Sequence, residues 1–103
     1  MIKLLIDTTD REKAIIALEI DGIKYLITSK RKSNSQKVLP MIVKILDKYK
    51  LELKDLTEIE VNTGPGSFTG IRVGISIANA LGQVLNIPIN SKKRGDKVSA
   101  KYK

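Results

Sequence analysis

Leu56-Thr57-Glu58-Ile59-Glu60-Val61-Asn62-Thr63-Gly64-Pro65-Gly66-Ser67-Phe68-Thr69-Gly70-Ile71-Arg72-Val73-Gly74 is the stretch that decides the fold. Leu56 to Thr63 reads as a strand, parallel to the first strand of the chain. Gly64 and Gly66 permit a tight turn, and Pro65 stiffens it. Ser67 is a natural N-cap for a helix expected over 67–85. The amides after it point out of a helix N-terminus, a generic anion-binding geometry. Two phosphate motifs come near and both fail. The Walker A pattern needs four residues between its glycines and then a lysine. Gly64 to Gly70 encloses five residues, and no lysine follows. The dinucleotide pattern G-x-G-x-x-G is one residue shorter than the spacing of Gly64, Gly66 and Gly70. By its residues alone the loop fits either a structural turn or a ligand cradle.

Upstream, Ile2-Lys3-Leu4-Leu5-Ile6 reads as a buried strand ending in the polar Asp7-Thr8-Thr9. Residues 14–20 and 23–28 are strand-like and flank Asp21-Gly22, a strong two-residue hairpin signal. Ser33 and Ser35 are candidate N-caps for a helix over about 36–50, with Pro40 in its tolerated early part. Downstream, Asn86-Ile87-Pro88-Ile89-Asn90 reads as a short fifth strand. The order β-β-β-α-β-α-β is an α/β layout. It predicts a five-stranded mixed sheet, order 3-2-1-4-5, with two main helices over residues 1–91. Residues 92–103 read as a flexible basic tail.

The chain has 103 residues, one domain at most. It contains no cysteine and no histidine, which removes disulfides, thiolate metal sites and the commonest general base near neutral pH. No metal site is expected. The formal charge is +8, and residues 92–103 carry six bases and one acid, so +5 of it belongs to the tail. A tRNA contact through that tail is one reading, and a solvated end is the other. No apolar run of membrane-spanning length and no signal peptide are read, so a cytoplasmic protein without membrane contact is expected.

Both helices carry excess apolar surface. Val38, Leu39, Met41, Ile42, Val43, Ile45, Leu46 and Tyr49 cover roughly 200° of the first, and Ile71 to Leu85 cover roughly 220° of the second, against a stripe of about 100° for a helix on a sheet. Gly70, Gly74, Ala78 and Gly82 recur every four residues of the second helix, so a backbone, a sheet or another helix approaches closely there. One reading packs both helices on one face of the sheet with a few exposed apolar residues. The other makes their outer faces an interface, with Val38, Leu39, Met41, Ile42, Ile45, Leu46, Ile71, Gly74, Ile75, Ala78, Leu81, Gly82 and Leu85 as candidates.

Gly64-Pro65-Gly66-Ser67-Phe68-Thr69-Gly70-Ile71-Arg72-Val73-Gly74 resembles the signature stretch of the TsaB (YeaZ) family almost residue for residue. Leu5-Ile6-Asp7-Thr8-Thr9 looks like that family's opening strand and loop. Ser35-Gln36-Lys37-Val38-Leu39-Pro40-Met41-Ile42 is similar to its first-helix motif, and the run from Ala78 to Ile89 to its helix end and following strand. The resemblance implies an actin-like, ribonuclease-H-like fold. It implies a non-catalytic scaffold that pairs through these two helices with the catalytic homologue TsaD or with itself, and assembles with the ATPase TsaE. The larger system attaches threonylcarbamoyl to a tRNA adenosine. Typical members carry a second domain beyond this point, so a half-domain with half of a nucleotide cleft is expected here. Asn34 stands where the family usually has histidine, and Thr9 stands where actin-like ATPases have glycine.

Two rival functions remain at this level. One is a nucleotide-binding remnant taking ATP at Asp7, Thr8, Gly64, Gly66, Ser67, Thr69 and Arg72. The other is a basic tRNA-binding module. The leading expectation is a scaffold with no cofactor. Asp7 is expected to accept hydrogen bonds from the Gly64–Gly66 loop, and Arg72 to be solvated or paired with Asp7.

Overall fold

The computed structural model describes residues 1–29, 35–92, 94–95 and 97–100, without the side chains of residues 35 and 36. The expectations for Ser33 as a cap, for the side chain of Ser35, for Asn34 and for the last three residues lie outside the described residues.

Three antiparallel strands open the chain: β1 (Ile2–Asp7), β2 (Ala14–Ile20) and β3 (Ile23–Ser29). Asp21 and Gly22 take φ of 50° and 88°, the two positive values that this tight hairpin requires. Helix α1 (Ser35–Lys48) leads through a 3-10 turn at Leu53–Asp55 to β4 (Glu58–Val61), which lies parallel to β1. Helix α2 (Phe68–Leu85) follows, begun by Ser67 and ended by Asn86 at φ 54°. The sheet order is β3-β2-β1-β4.

Both helices lie on one face of this sheet. Leu4, Ile6, Ile16, Leu18, Ile59 and Val61 point into a single core with Val38, Ile42, Ile45, Leu46, Ile71, Ile75 and Ala78. The row of small residues belongs to this packing. A Cβ on Gly74 would meet the Thr8 hydroxyl, Ile6 and Val61; one on Gly70 would meet the Thr8 carbonyl; one on Gly82 would meet Ile89. The close neighbour of α2 is therefore its own sheet and the loop after β1.

Three expectations need correction. The fifth strand is reduced to one parallel bridge between Ile59 and Ile89. Asn90 and Ser91 turn away with φ of 52° and 62°. The Asn90 side chain then replaces the missing strand: its carboxamide accepts from Val61 N (2.7 Å) and donates to Val61 O (3.0 Å).

The tail is also not wholly free. Asn79 on α2 donates to Val98 O (3.1 Å) and accepts from Val98 N (3.0 Å), Val98 is buried, and Ala100 packs on the core. Last, α2 is long and apolar enough, by length and composition, to cross a membrane. It packs on the sheet instead, with Gly70, Ile71, Gly74, Ile75, Ile77, Ala78 and Gly82 buried.

Candidate functional site: the head and flank of helix α2

Two loops meet at the head of α2. The first follows β1 and carries Asp7, Thr8 and Thr9; the second is the Gly64–Ser67 turn. Thr8 is fully buried and its hydroxyl donates to Gly70 O (2.5 Å). Thr9 O accepts from Ser67 N (2.7 Å). A Cβ on Gly66 would lie 2.6 Å from Thr9 O, so glycine there serves the docking of Thr9. Gly64 has φ 116°, a value side chains rarely tolerate.

Asp7 organises its own loop. Its Oδ1 accepts from the Thr9 amide (3.0 Å) and the Thr9 hydroxyl (2.7 Å), and its Oδ2 accepts from Asn62 Nδ2 (3.2 Å). The expected direct bonds from the Gly64–Gly66 amides are replaced by this route: Gly64 N donates to Asn62 Oδ1 (3.1 Å). Burial pushes the Asp7 carboxyl up. The bonds from Thr9 and Asn62 and the charge of Lys13 outweigh it, so the group sits below its ordinary value of 3.8.

Part of the anion-binding geometry is used internally. Ser67 N goes to Thr9 O, Gly70 N to Ser67 Oγ (3.3 Å) and Ile71 N to Ser67 O (2.9 Å). Asp7, Thr8, Gly64, Gly66 and Ser67 do come together, as predicted for the ligand loop. Thr69 and Arg72 are exposed on the helix surface. Arg72 stacks over the Phe68 ring, 5.3 Å from its centroid, rather than against Asp7. Among the described residues, no three His, Cys, Asp or Glu side chains gather as metal ligands.

The flank of the helices differs from the expected interface. Val38, Ile42, Ile45, Leu46, Ile71, Gly74, Ile75, Ala78 and Gly82 are buried in the chain's own core, so they are not available to a partner. The sheet takes the centre of each wide apolar arc. Leu39 is exposed, and Met41, Leu81 and Leu85 are half-buried. The exposed apolar residues also include Val43 on α1 and Phe68 and Val84 on α2, the last 81% exposed. A groove of about 490 Å³ runs along α2 between Phe68, Thr69, Arg72, Val73, Ser76 and Ile77.

The family described as "TsaD: tRNA N6-adenosine threonylcarbamoyltransferase" matches residues 12–91, which span both helices and the Gly64–Gly74 stretch. The "tRNA threonylcarbamoyladenosine biosynthesis protein TsaB" of Buchnera aphidicola (from Schizaphis graminum) is 41% identical over 86 residues, 84% of this chain and 41% of the relative. The protein of the same name from Bacillus subtilis is 36% identical over 89 residues, 85% of this chain and 39% of the relative.

This chain belongs to the TsaB (YeaZ) family. Among solved structures, YeaZ from Pseudomonas aeruginosa superposes with a TM-score of 0.82 at 28% identity, covering 90% of this chain and 45% of that one. The chain thus spans about two fifths of the length of the curated TsaB relatives it matches.

Sequence reasoning does not single out Thr9 and Asn62, which tie the two loops of the site together, or Asn79 and Asn90, which fasten Val98 and Val61. Asp7 two residues before Thr9 is the spacing of an Asx turn, and that signal was readable. The long-range partners of Asn79 and Asn90 left no local trace.

Proposed function

We propose that this chain is a non-catalytic scaffold subunit that supports a TsaD-like partner in threonylcarbamoyl modification of a tRNA adenosine. The observation that carries the reading is the apolar residue set left on the outer surface of α1 and α2 in a TsaB-family chain: Leu39, Val43, Phe68 and Val84. Leu39 and Val43 are four apart and share one face of α1. Soluble proteins keep such residues exposed in groups mainly where a partner covers them. The occupant is a TsaD-like subunit, and a second copy of this chain is the rival for the same surface.

A catalytic role of its own has little to work with. The sequence lacks histidine and cysteine, and the amides of Ser67, Gly70 and Ile71 are already bonded within the chain. An ATP cradle at the same loop would compete with those bonds.

Sedimentation velocity at tens of micromolar, alone and mixed with a TsaD protein, tests the proposal. A TsaD complex that Leu39→Lys with Val43→Lys dissolves is the expected result, and a homodimer that ignores TsaD favours the rival. A strict monomer in both samples overturns it.

A further inference from the structure

The family match ends at residue 91, yet Val98 beyond it is built into the fold. Asn79 of α2 holds both backbone groups of Val98. Ahead of it, Asn90 and Ser91 turn in the left-handed region, and Lys92 N donates to Ile89 O (3.0 Å). The segment so fastened contributes Lys92, Lys97, Val98 and Ser99, together with Thr63 and Asn90, to a pocket of about 370 Å³. Thr63 follows the end of β4, and Asn90 follows Ile89, which runs parallel to β4 at Ile59. The pocket therefore lies at the carboxyl ends of parallel strands, where α/β sheets take their ligands.

Its lining is cationic, with two lysines and no carboxylate. Among the described residues neither lysine is part of a salt bridge. The Thr63 and Ser99 hydroxyls add two uncharged donors. The Asn90 carboxamide is already bonded to Val61. Ammonium and hydroxyl groups are a donor set for phosphoryl oxygens. No aromatic ring lines the pocket to stack a base. A site of this make-up holds a phosphate and leaves the base unread.

We infer that this pocket binds a backbone phosphate of RNA, with Lys92 and Lys97 supplying charge and Thr63 and Ser99 supplying hydrogen bonds. The phosphate chemistry rests on the lining alone. The choice of RNA over a free nucleotide rests on the missing ring and on the proposed place in tRNA modification. Binding is then indifferent to base sequence and falls as salt rises.

The test titrates the full chain into a labelled, unmodified tRNA transcript. No TsaD protein is added, so a negative result leaves the α1–α2 association untouched. Lys92→Gln with Lys97→Gln is expected to flatten the slope of log affinity against log salt by about two, one for each lysine. Asn79→Ala changes no charge and should still weaken binding several-fold, because it releases Val98 and the lysine before it. Thermal melts by circular dichroism separate that effect from loss of the fold. Arg94→Gln removes a charge outside the pocket and should cost less than Lys97→Gln. No tRNA binding overturns the inference. So does binding that ignores Asn79→Ala and treats Arg94 and Lys97 alike, which is plain surface charge. ATP bound tightly in place of tRNA overturns the assignment to RNA.

Discussion

The head of α2 and its flank are built from the same helix but stand in opposite conditions. At the head, Thr8, Thr9, Asp7 and Ser67 answer each other's polar groups, and no buried side-chain polar atom among the described residues lacks a partner. On the flank, Val84 is 81% exposed, and Phe68, though Arg72 lies over its ring, is exposed as well. A loop that looks like a ligand cradle is closed from within, whereas a plain helix surface is left open. The association proposed above uses the open part.

The largest expected effect separates the two directly. Gly74→Leu forces a side chain onto Thr8, Ile6 and Val61 and destabilises the fold by about 3 kcal/mol or more. Urea denaturation reads this. A stable Gly74→Leu chain that merely stops associating would move the glycine row from the head to the interface and dissolve the comparison.

A smaller effect sharpens the head. The Asp7 carboxyl lies below its ordinary value of 3.8 when folded. Its stabilisation is therefore complete above the unfolded value and is lost as pH falls from about 4 through the folded value. Asp7→Asn removes that part of the acid dependence, and denaturation midpoints across pH 2–6 check it. An unchanged acid slope would mean that the Thr9 and Asn62 bonds do not favour the charged form.

The smallest effect on stability is at the flank. Val84→Lys changes folding free energy by less than about 0.5 kcal/mol, since the side chain is already in water. It should still weaken association, as read by sedimentation. A large loss of stability would show that Val84 serves the fold.

The elements were legible because their signals are local. Asp21-Gly22 fixed the hairpin, and Ser67 fixed the start of α2. The apolar arcs of both helices were also legible, and so was the approach of the loop after β1 to the Gly64–Ser67 turn, but the bonds run through Thr9 and Asn62 rather than from the turn to Asp7. Which part of each arc stays outside was not, because the answer depends on how α1 and α2 share one sheet face. Ile87-Pro88-Ile89 has the composition of a strand, but its length is set by the left-handed turn at Asn90 and Ser91. The seat of Val98 depends on Asn79, nineteen residues earlier, and periodicity carries no trace of such a pairing.

The carboxamide of Asn90 has a consequence beyond tidiness. A ladder grows by templating: each exposed rung invites the next chain, and unguarded rungs seed fibres. Here one side chain fills the last rung of β4 and the backbone swerves off behind it. Along that margin the backbone of Pro88 and Asn90 answers Ile59 and the Asn90 carboxamide answers Val61, so neither residue is left as an open rung.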